Sequence, residues 1–252
     1  MDKMRLDQSL VNRGLVSSRS QAESWVKLGK VKVAGRTVKK PGYFVAPDIK
    51  LELVASEQYV SRAGLKLASV AVALKLDFKN KIVLDVGSST GGFTDYALRR
   101  GAKKVIAIDV GTNQLHLSLL GNPKIELHEQ TDIRNMSALS ATPDIVMIDV
   151  SFISLRQILP HVAGLCGPHT QVVAMVKPQF EAGETAKHKG VIKNAAMRRD
   201  ILHDFELWVK SLFVILAKAD SDVAGAKGNL ERFYMLGRGA ATSKLRRPSD
   251  VG

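Results

Sequence analysis

The sequence predicts an α/β protein: a doubly wound, parallel sheet preceded by a small N-terminal α+β module. Three observations carry this. From Lys81 onward, mostly apolar runs at 82–86, 105–108, 145–148 and 172–176 alternate with helix-like stretches. Such runs belong to parallel strands covered on both faces. A Gly-rich turn, Gly87-Ser88-Ser89-Thr90-Gly91-Gly92, follows the first run directly, where open α/β sheets hold ligands. Residues 1–40 have a different texture, with ten Lys and Arg against three acids.

The N-terminal elements follow from local signals. Leu6 and Leu10 stand i,i+4 and predict a short helix ending near Gly14. Ser17 or Ser18 caps a second helix, with Ala22, Trp25 and Val26 inward and Gly29 stopping it. Trp25 reads as core rather than as a stacking platform. Val31-Lys32-Val33 alternates as a strand, Ala34-Gly35 turns the chain, and Leu51-Glu52-Leu53-Val54 closes the module. The expected boundaries are 1–57 for this module, 58–80 for a linker and helix, 81–243 for the larger domain, and 244–252 for a basic tail. A third strand is expected at 125–128, a helix at 94–100 and a last strand at 233–236.

Composition narrows the function. The chain of 252 residues carries a net charge of +13, a surplus that fits a polyanionic partner. The longest apolar run, 212–217, is far short of the ~18 residues of a membrane helix. The N-terminal residues lack an apolar signal core, and the single Cys166 suits a reducing compartment. A cytoplasmic location is expected, without a membrane partner. No Cys/His cluster is present, so no metal is expected.

The turn after the first strand is chemically informative. A dinucleotide fingerprint places Gly two positions after the first Gly. Ser89 stands there, and the glycines are Gly87, Gly91 and Gly92, with Phe93 following. Asp85 ends the strand beside the turn. A carboxylate there repels a pyrophosphate and suits the ammonium of an aminocarboxypropyl group. This favours S-adenosylmethionine over a nicotinamide dinucleotide. Asp109 lies 22 positions after Gly87, placed to accept ribose hydroxyls. Asp132, after the third strand, is a candidate acceptor for an adenine amino group.

Asp149 and Lys177 stand at the tips of the fourth and fifth strands, side by side above the expected methyl. A desolvated lysine can present a neutral amine and take a proton from an attacking hydroxyl. A neighbouring carboxylate acts in the opposite sense. The spacing leaves open a second role for Lys177, as a cationic clamp on phosphate. The loop 181–190 is polar and follows Lys177, as a lid would; His188 within it reads as a solvated loop residue.

The ordered stretches YVSRAGLKLA, LDVGSSTGGFTD, AIDVG, IDVSFISLR, VKPQFEAG and KGNLERF resemble the TlyA family, which is similar in turn to FtsJ-like ribose 2′-O-methyltransferases. The resemblance covers nearly the whole chain. It implies a doubly wound class I methyltransferase (Rossmann-like) sheet with a small N-terminal α+β RNA-binding domain. It also implies a Lys-Asp-Lys-Glu tetrad, which falls here on Lys66, Asp149, Lys177 and Glu231. The chain departs from the FtsJ-like G-x-x-P-G-G in carrying Thr90 at the Pro position.

Residues 4–35 resemble an S-four-type RNA-binding domain. The resemblance and the charge together make Arg5, Arg13, Arg19, Lys27, Lys30 and Lys32 candidate phosphate contacts, with Arg62 joining them. Folded RNA is expected to be read by shape. The implied reaction is methylation of a cytidine ribose in ribosomal RNA, on free RNA or ribosomal subunits, with a flipped or single-stranded target. Two other readings remain at this stage: a membrane-active protein, since some relatives carry a haemolysin label, and a non-catalytic RNA-binding assembly factor.

Overall fold

The protein is described from a computed structural model over residues 3–16, 18–54, 59–182, 191–192, 194–225 and 228–238. Most of the expected lid loop with His188, the basic tail, Ser17 and the expected module boundary at 57 lie outside these residues.

In the N-terminal module, β1 (Met4–Arg5) pairs with β4 (Phe44–Val45), and β2 (Val31–Val33) sits between β3 (Arg36–Thr37) and β5 (Leu51–Leu53). Helices α1 (Leu6–Asn12) and α2 (Arg19–Lys27) cover them. Leu6 and Leu10 are fully buried, as their spacing requires. Ser18 caps α2 by accepting from the Gln21 amide at 3.2 Å. Ala22, Trp25 and Val26 are buried.

The larger domain runs α3 (Arg62–Val70), β6 (Ile82–Val86), α4 (Gly92–Arg99), β7 (Lys104–Ile108), β8 (Ile125–His128), β9 (Ile145–Ile148), α5 (Leu159–Leu165), β10 (Gln171–Val176), α6 (Pro178–Glu181), α7 (Ala195–Val209), β11 (Val214–Asp220) and β12 (Arg232–Gly237). The strands form one seven-stranded sheet in the order β8-β7-β6-β9-β10-β12-β11. The order reverses at β6, which places a crevice at the carboxyl ends of β6 and β9.

Two features differ from expectation. The sheet is not wholly parallel: β12 runs antiparallel to both β10 and β11. β11 itself was not expected, because its run read only as an apolar stretch. The cause of both is connectivity. Only eleven residues join β11 to β12, and those described among them hold no crossover helix, which parallel neighbours need. β11 is an edge strand whose residues alternate between exposed and half-buried, so it lacks the signature of a buried strand.

The pleat sorts the sheet residues onto two cores. Val83, Val105, Met147, Val173 and Phe233 face α3, α4 and the N-terminal module. Leu84, Ile106, Val146, Val172 and Tyr234 face α5 and α7. The first core continues into the module through Leu6, Leu10 and Trp25, so the two parts share apolar contacts. Polar contacts reinforce the join. Gln21 Nε2 donates to the Tyr59 carbonyl at 2.6 Å, and the Val60 amide donates to Asp95 Oδ2 at 2.9 Å.

Helices α3 and α4 approach closely because each carries Gly at the crossing. A Cβ on Gly92 would collide with Ser61 Oγ and stand 2.9 Å from the Gly64 amide nitrogen. A Cβ on Gly64 would stand 2.9 Å from the Gly92 carbonyl oxygen. Both collisions include backbone, which relieves strain poorly. We expect Gly92→Ala to cost about 1–3 kcal/mol, read as a lower urea midpoint with an unchanged m-value. An unchanged midpoint would show that the crossing is not tight.

Candidate active site

A cleft of about 740 Å³ opens at the carboxyl ends of the central strands. Its floor is the turn after β6. Gly87 has φ +82, and a Cβ there would stand 2.6 Å from the Asp149 carbonyl oxygen. Only glycine lets this turn pass the tip of β9. Gly87, Ser89 and Phe93 line the cleft, whereas Gly91 and Gly92 do not. Gly92 instead holds the α3–α4 crossing.

Asp85 lies beneath the turn and is fully buried. Its Oδ2 accepts from Thr94 Oγ1 at 2.6 Å, while its buried Oδ1 has no partner. Burial pushes its carboxyl up to about 7, with Thr94 opposing the shift and Asp149 and Asp109 adding to it. Ser88 Oγ is also buried without a partner, and Ser88 lines the cleft. An orphan carboxylate oxygen and an orphan hydroxyl around a glycine turn fit a ligand group carrying a cationic amine.

Asp109 binds the turn to the loop after β7, accepting from the Ser89 amide at 2.8 Å and the Gly111 amide at 2.7 Å. Asp132 is held by a near neighbour. Both of its oxygens hold the Arg134 guanidinium, at 2.6 to 3.0 Å, and its Oδ1 caps a short helical turn.

Lys66, Asp149, Lys177 and Glu231 all line this one cleft. Lys66 reaches it from α3, Asp149 from the tip of β9, Lys177 from the tip of β10, and Glu231 from just before β12. They form two pairs. Lys66 Nζ stands 2.5 Å from Glu231 Oε2, and Lys177 Nζ stands 2.6 Å from Asp149 Oδ1. Lys177 also donates to Ser151 Oγ at 2.7 Å. Both lysines and Glu231 are more than nine-tenths buried. Replacing such pairs by apolar side chains of similar volume is often neutral or stabilising, so fold stability does not account for them.

Several site residues lie within the quoted stretches but were not singled out from the sequence. Ser61 Oγ is buried without a partner and faces the same cleft. Phe152 is 92% exposed at the mouth, with φ +64 and its ring 5.2 Å from Phe180. Glu181 accepts from Ser154 Oγ at 2.6 Å and from the Leu155 amide at 2.7 Å. It thereby ties the end of α6 to the loop after β9, and burial raises its carboxyl above the usual range. Helix capping across two loops needs the fold to bring the partners together, so it leaves no local motif.

The candidate phosphate contacts divide. Arg5 and Arg19 both donate to Asp7, at 2.7 to 3.0 Å. Arg13 is exposed and donates to the Ile49 and Pro47 carbonyls at 2.6 Å each. Lys27 stands 3.9 Å from Glu23. Lys30 is exposed and Lys32 half-buried. Arg62 lines the cleft rather than the module surface. No helix among the described residues is long and apolar enough to cross a membrane.

The raised Asp85 carboxyl has a testable sign. From about pH 4 to pH 7 the folded protein keeps a proton that the unfolded chain, with its carboxyl near 3.8, has released. Stability from this group therefore falls as pH rises through that window, by on the order of a few kcal/mol. We expect Asp85→Asn to remove that part of the slope in urea midpoints at pH 4.5 and 7. Parallel slopes for the two proteins would contradict it.

Residues 59–239 match the FtsJ-like methyltransferase family, and residues 4–48 match the S4 domain. The chain is 34% identical over 249 residues to the 16S/23S rRNA (cytidine-2′-O)-methyltransferase TlyA of Mycobacterium tuberculosis, covering 93% of this chain and 90% of the relative. It is 37% identical over 234 residues to Hemolysin A of Brachyspira hyodysenteriae, covering 90% and 97%. A solved structure from Streptococcus thermophilus, named as a candidate hemolysin, shares 36% identity over 95% of this chain and 90% of that one, with a TM-score of 0.71. The cleft thus sits in a chain that belongs to the FtsJ-like methyltransferase family and carries an S4 domain at its N-terminus.

Proposed function

We propose that this methyltransferase moves a methyl group from S-adenosylmethionine to the ribose 2′-hydroxyl of a cytidine in ribosomal RNA. The observation that carries the reading is the convergence of two buried lysine–carboxylate pairs on one cleft above the glycine turn. The name and reaction of the Mycobacterium tuberculosis relative support the substrate. In this reading the S4 domain docks the RNA, and the protein works in the cytoplasm.

Bound S-adenosylmethionine supplies an electrophilic methyl on a sulfonium, so the protein has to align two reactants and take up one proton. Ser88 Oγ, which lines the cleft without a partner, binds the amino-acid end of the cofactor, and Asp85 beneath the turn adds a carboxyl that favours its ammonium. Asp109, tied to the turn by the Ser89 amide, accepts from the cofactor ribose. Asp149 and Ser151 hold two positions on Lys177 Nζ, and the third is left for the substrate. Lys177 is the group placed to take up the proton of the 2′-hydroxyl as that oxygen attacks. Lys66, neutralised by Glu231, orients the ribose on the opposite wall. Phe152, exposed at the mouth, offers its ring to a base drawn out of the RNA. Arg5, Arg19, Lys30, Lys32 and Arg62 contact phosphates.

The test is transfer of labelled methyl from S-adenosylmethionine to ribosomal subunits from a strain lacking the protein, followed by nucleoside analysis. Label is expected in 2′-O-methylcytidine. Lys177→Met is expected to lower the rate by about 10²–10⁴-fold while calorimetry shows the cofactor still bound. Absence of label on both subunits would overturn the ribosomal substrate. Full activity in Lys177→Met would remove the proton-acceptor role.

A further inference from the structure

The N-terminal module holds an arrangement that methyl transfer does not use. Arg5 and Phe44 stand directly opposite each other across the β1–β4 ribbon, so their side chains leave the same face. The Arg5 guanidinium is fixed. It donates twice to Asp7, at 3.0 and 2.7 Å. It also lies over Gly42, where a Cβ would come within 2.8 Å of Nη1. Asp7 is fully buried and holds Arg19 as well, at 3.0 Å. One buried carboxylate thus presents two partly exposed guanidinium groups with one positive charge to spare.

Phe44 is 59% exposed. Its ring pairs with no other ring among the described residues. Lys39 and Lys40, both exposed, precede it by a few residues. An isolated exposed aromatic is unremarkable by itself. What distinguishes Phe44 is a fixed cation, Arg5, on its own face, whose buried carboxylate partner also holds Arg19, just after a forty-residue segment with ten Lys and Arg. The charge asks for a polyanion, and the flat apolar face asks for something to stack on it. Single-stranded nucleic acid supplies both within one nucleotide. A duplex hides its bases and supplies only phosphate.

We infer that Phe44 is a stacking surface for one unpaired base of the RNA, with the Arg5–Arg19 pair on an adjoining phosphate. This rests on the reading that the module docks RNA. It adds the class of RNA feature that the module selects: a loop or bulge nucleotide away from the methylated one.

The experiment titrates the full chain with protein-free ribosomal RNA over a range of salt concentrations. Phe44→Ala is expected to bind about five- to hundredfold more weakly, and Phe44→Trp to restore binding. The slope of log affinity against log salt should stay at the wild-type value in Phe44→Ala, because no phosphate contact is lost. Arg19→Ala should lower that slope by about one. Phe44 lies outside both apolar cores, so the variants fold, and circular dichroism checks this. Unchanged affinity in Phe44→Ala, or a slope that falls as in Arg19→Ala, overturns the inference. So does a loss seen with intact subunits but not with protein-free RNA, which would assign Phe44 to a ribosomal protein. Wild-type protein that fails to bind the RNA overturns the docking reading as well; wild-type binding with an unaffected Phe44→Ala overturns this inference alone.

Discussion

Two buried lysine–carboxylate pairs meet in one cleft, and each draws its partners from different parts of the chain. Lys66 comes from a helix ahead of the first large-sheet strand, and Glu231 from the residue before the last strand. Asp149 and Lys177 come from neighbouring strand tips. An ammonium buried without its carboxylate is severely penalised. Each pair therefore demands that distant segments arrive together. The tight crossing of α3 and α4 brings Lys66 within reach. The insertion of β12 between β10 and β11 brings Glu231 to the same opening.

The two parts of the chain are bound into one mechanical unit. The apolar core on one face of the sheet runs without a break into the N-terminal module. Gln21 grips the Tyr59 carbonyl and Asp95 grips the Val60 amide, so the segment leading into α3 is held from both sides. Ser18, the cap of α2, reaches the cleft wall itself. The module that would meet the RNA thus touches the place where chemistry would occur. Phe152 has the same logic on a smaller scale. Its left-handed backbone is held between Asp149, paired with Lys177, and Ser154, held by Glu181. Strain of that kind persists where the surroundings over-determine it.

What the sequence made legible depended on how local the cause was. Strands β7, β9 and β10 are mostly apolar runs, and the glycine turn after β6 is a contiguous motif, so both could be read directly. The cap at Ser18 and the buried Leu6 and Leu10 follow from spacing within one turn of helix. β11 could not be read, because an edge strand alternates weakly and its run resembled any apolar stretch. The direction of β12 depends on the absence of a crossover, which no residue announces. The pairing of Lys66 with Glu231 spans most of the chain; only resemblance to a family pointed to it. Arg13 shows the converse. Its charge marked it for phosphate, but the fold presents it with backbone carbonyls of a loop 33 to 36 residues away. Asp132 also holds Arg134, two positions along, a contact that a strand-tip argument does not include.

The account stands on the two pairs acting together on one substrate. The most direct measurement is a double-mutant cycle on Lys66 and Lys177, using single-turnover methyl transfer to ribosomal subunits. Groups that serve one step as a unit are strongly non-additive. The account predicts that Lys66→Met with Lys177→Met is little slower than the slower single variant. Rate losses that multiply would contradict it and make the two pairs independent features of the fold.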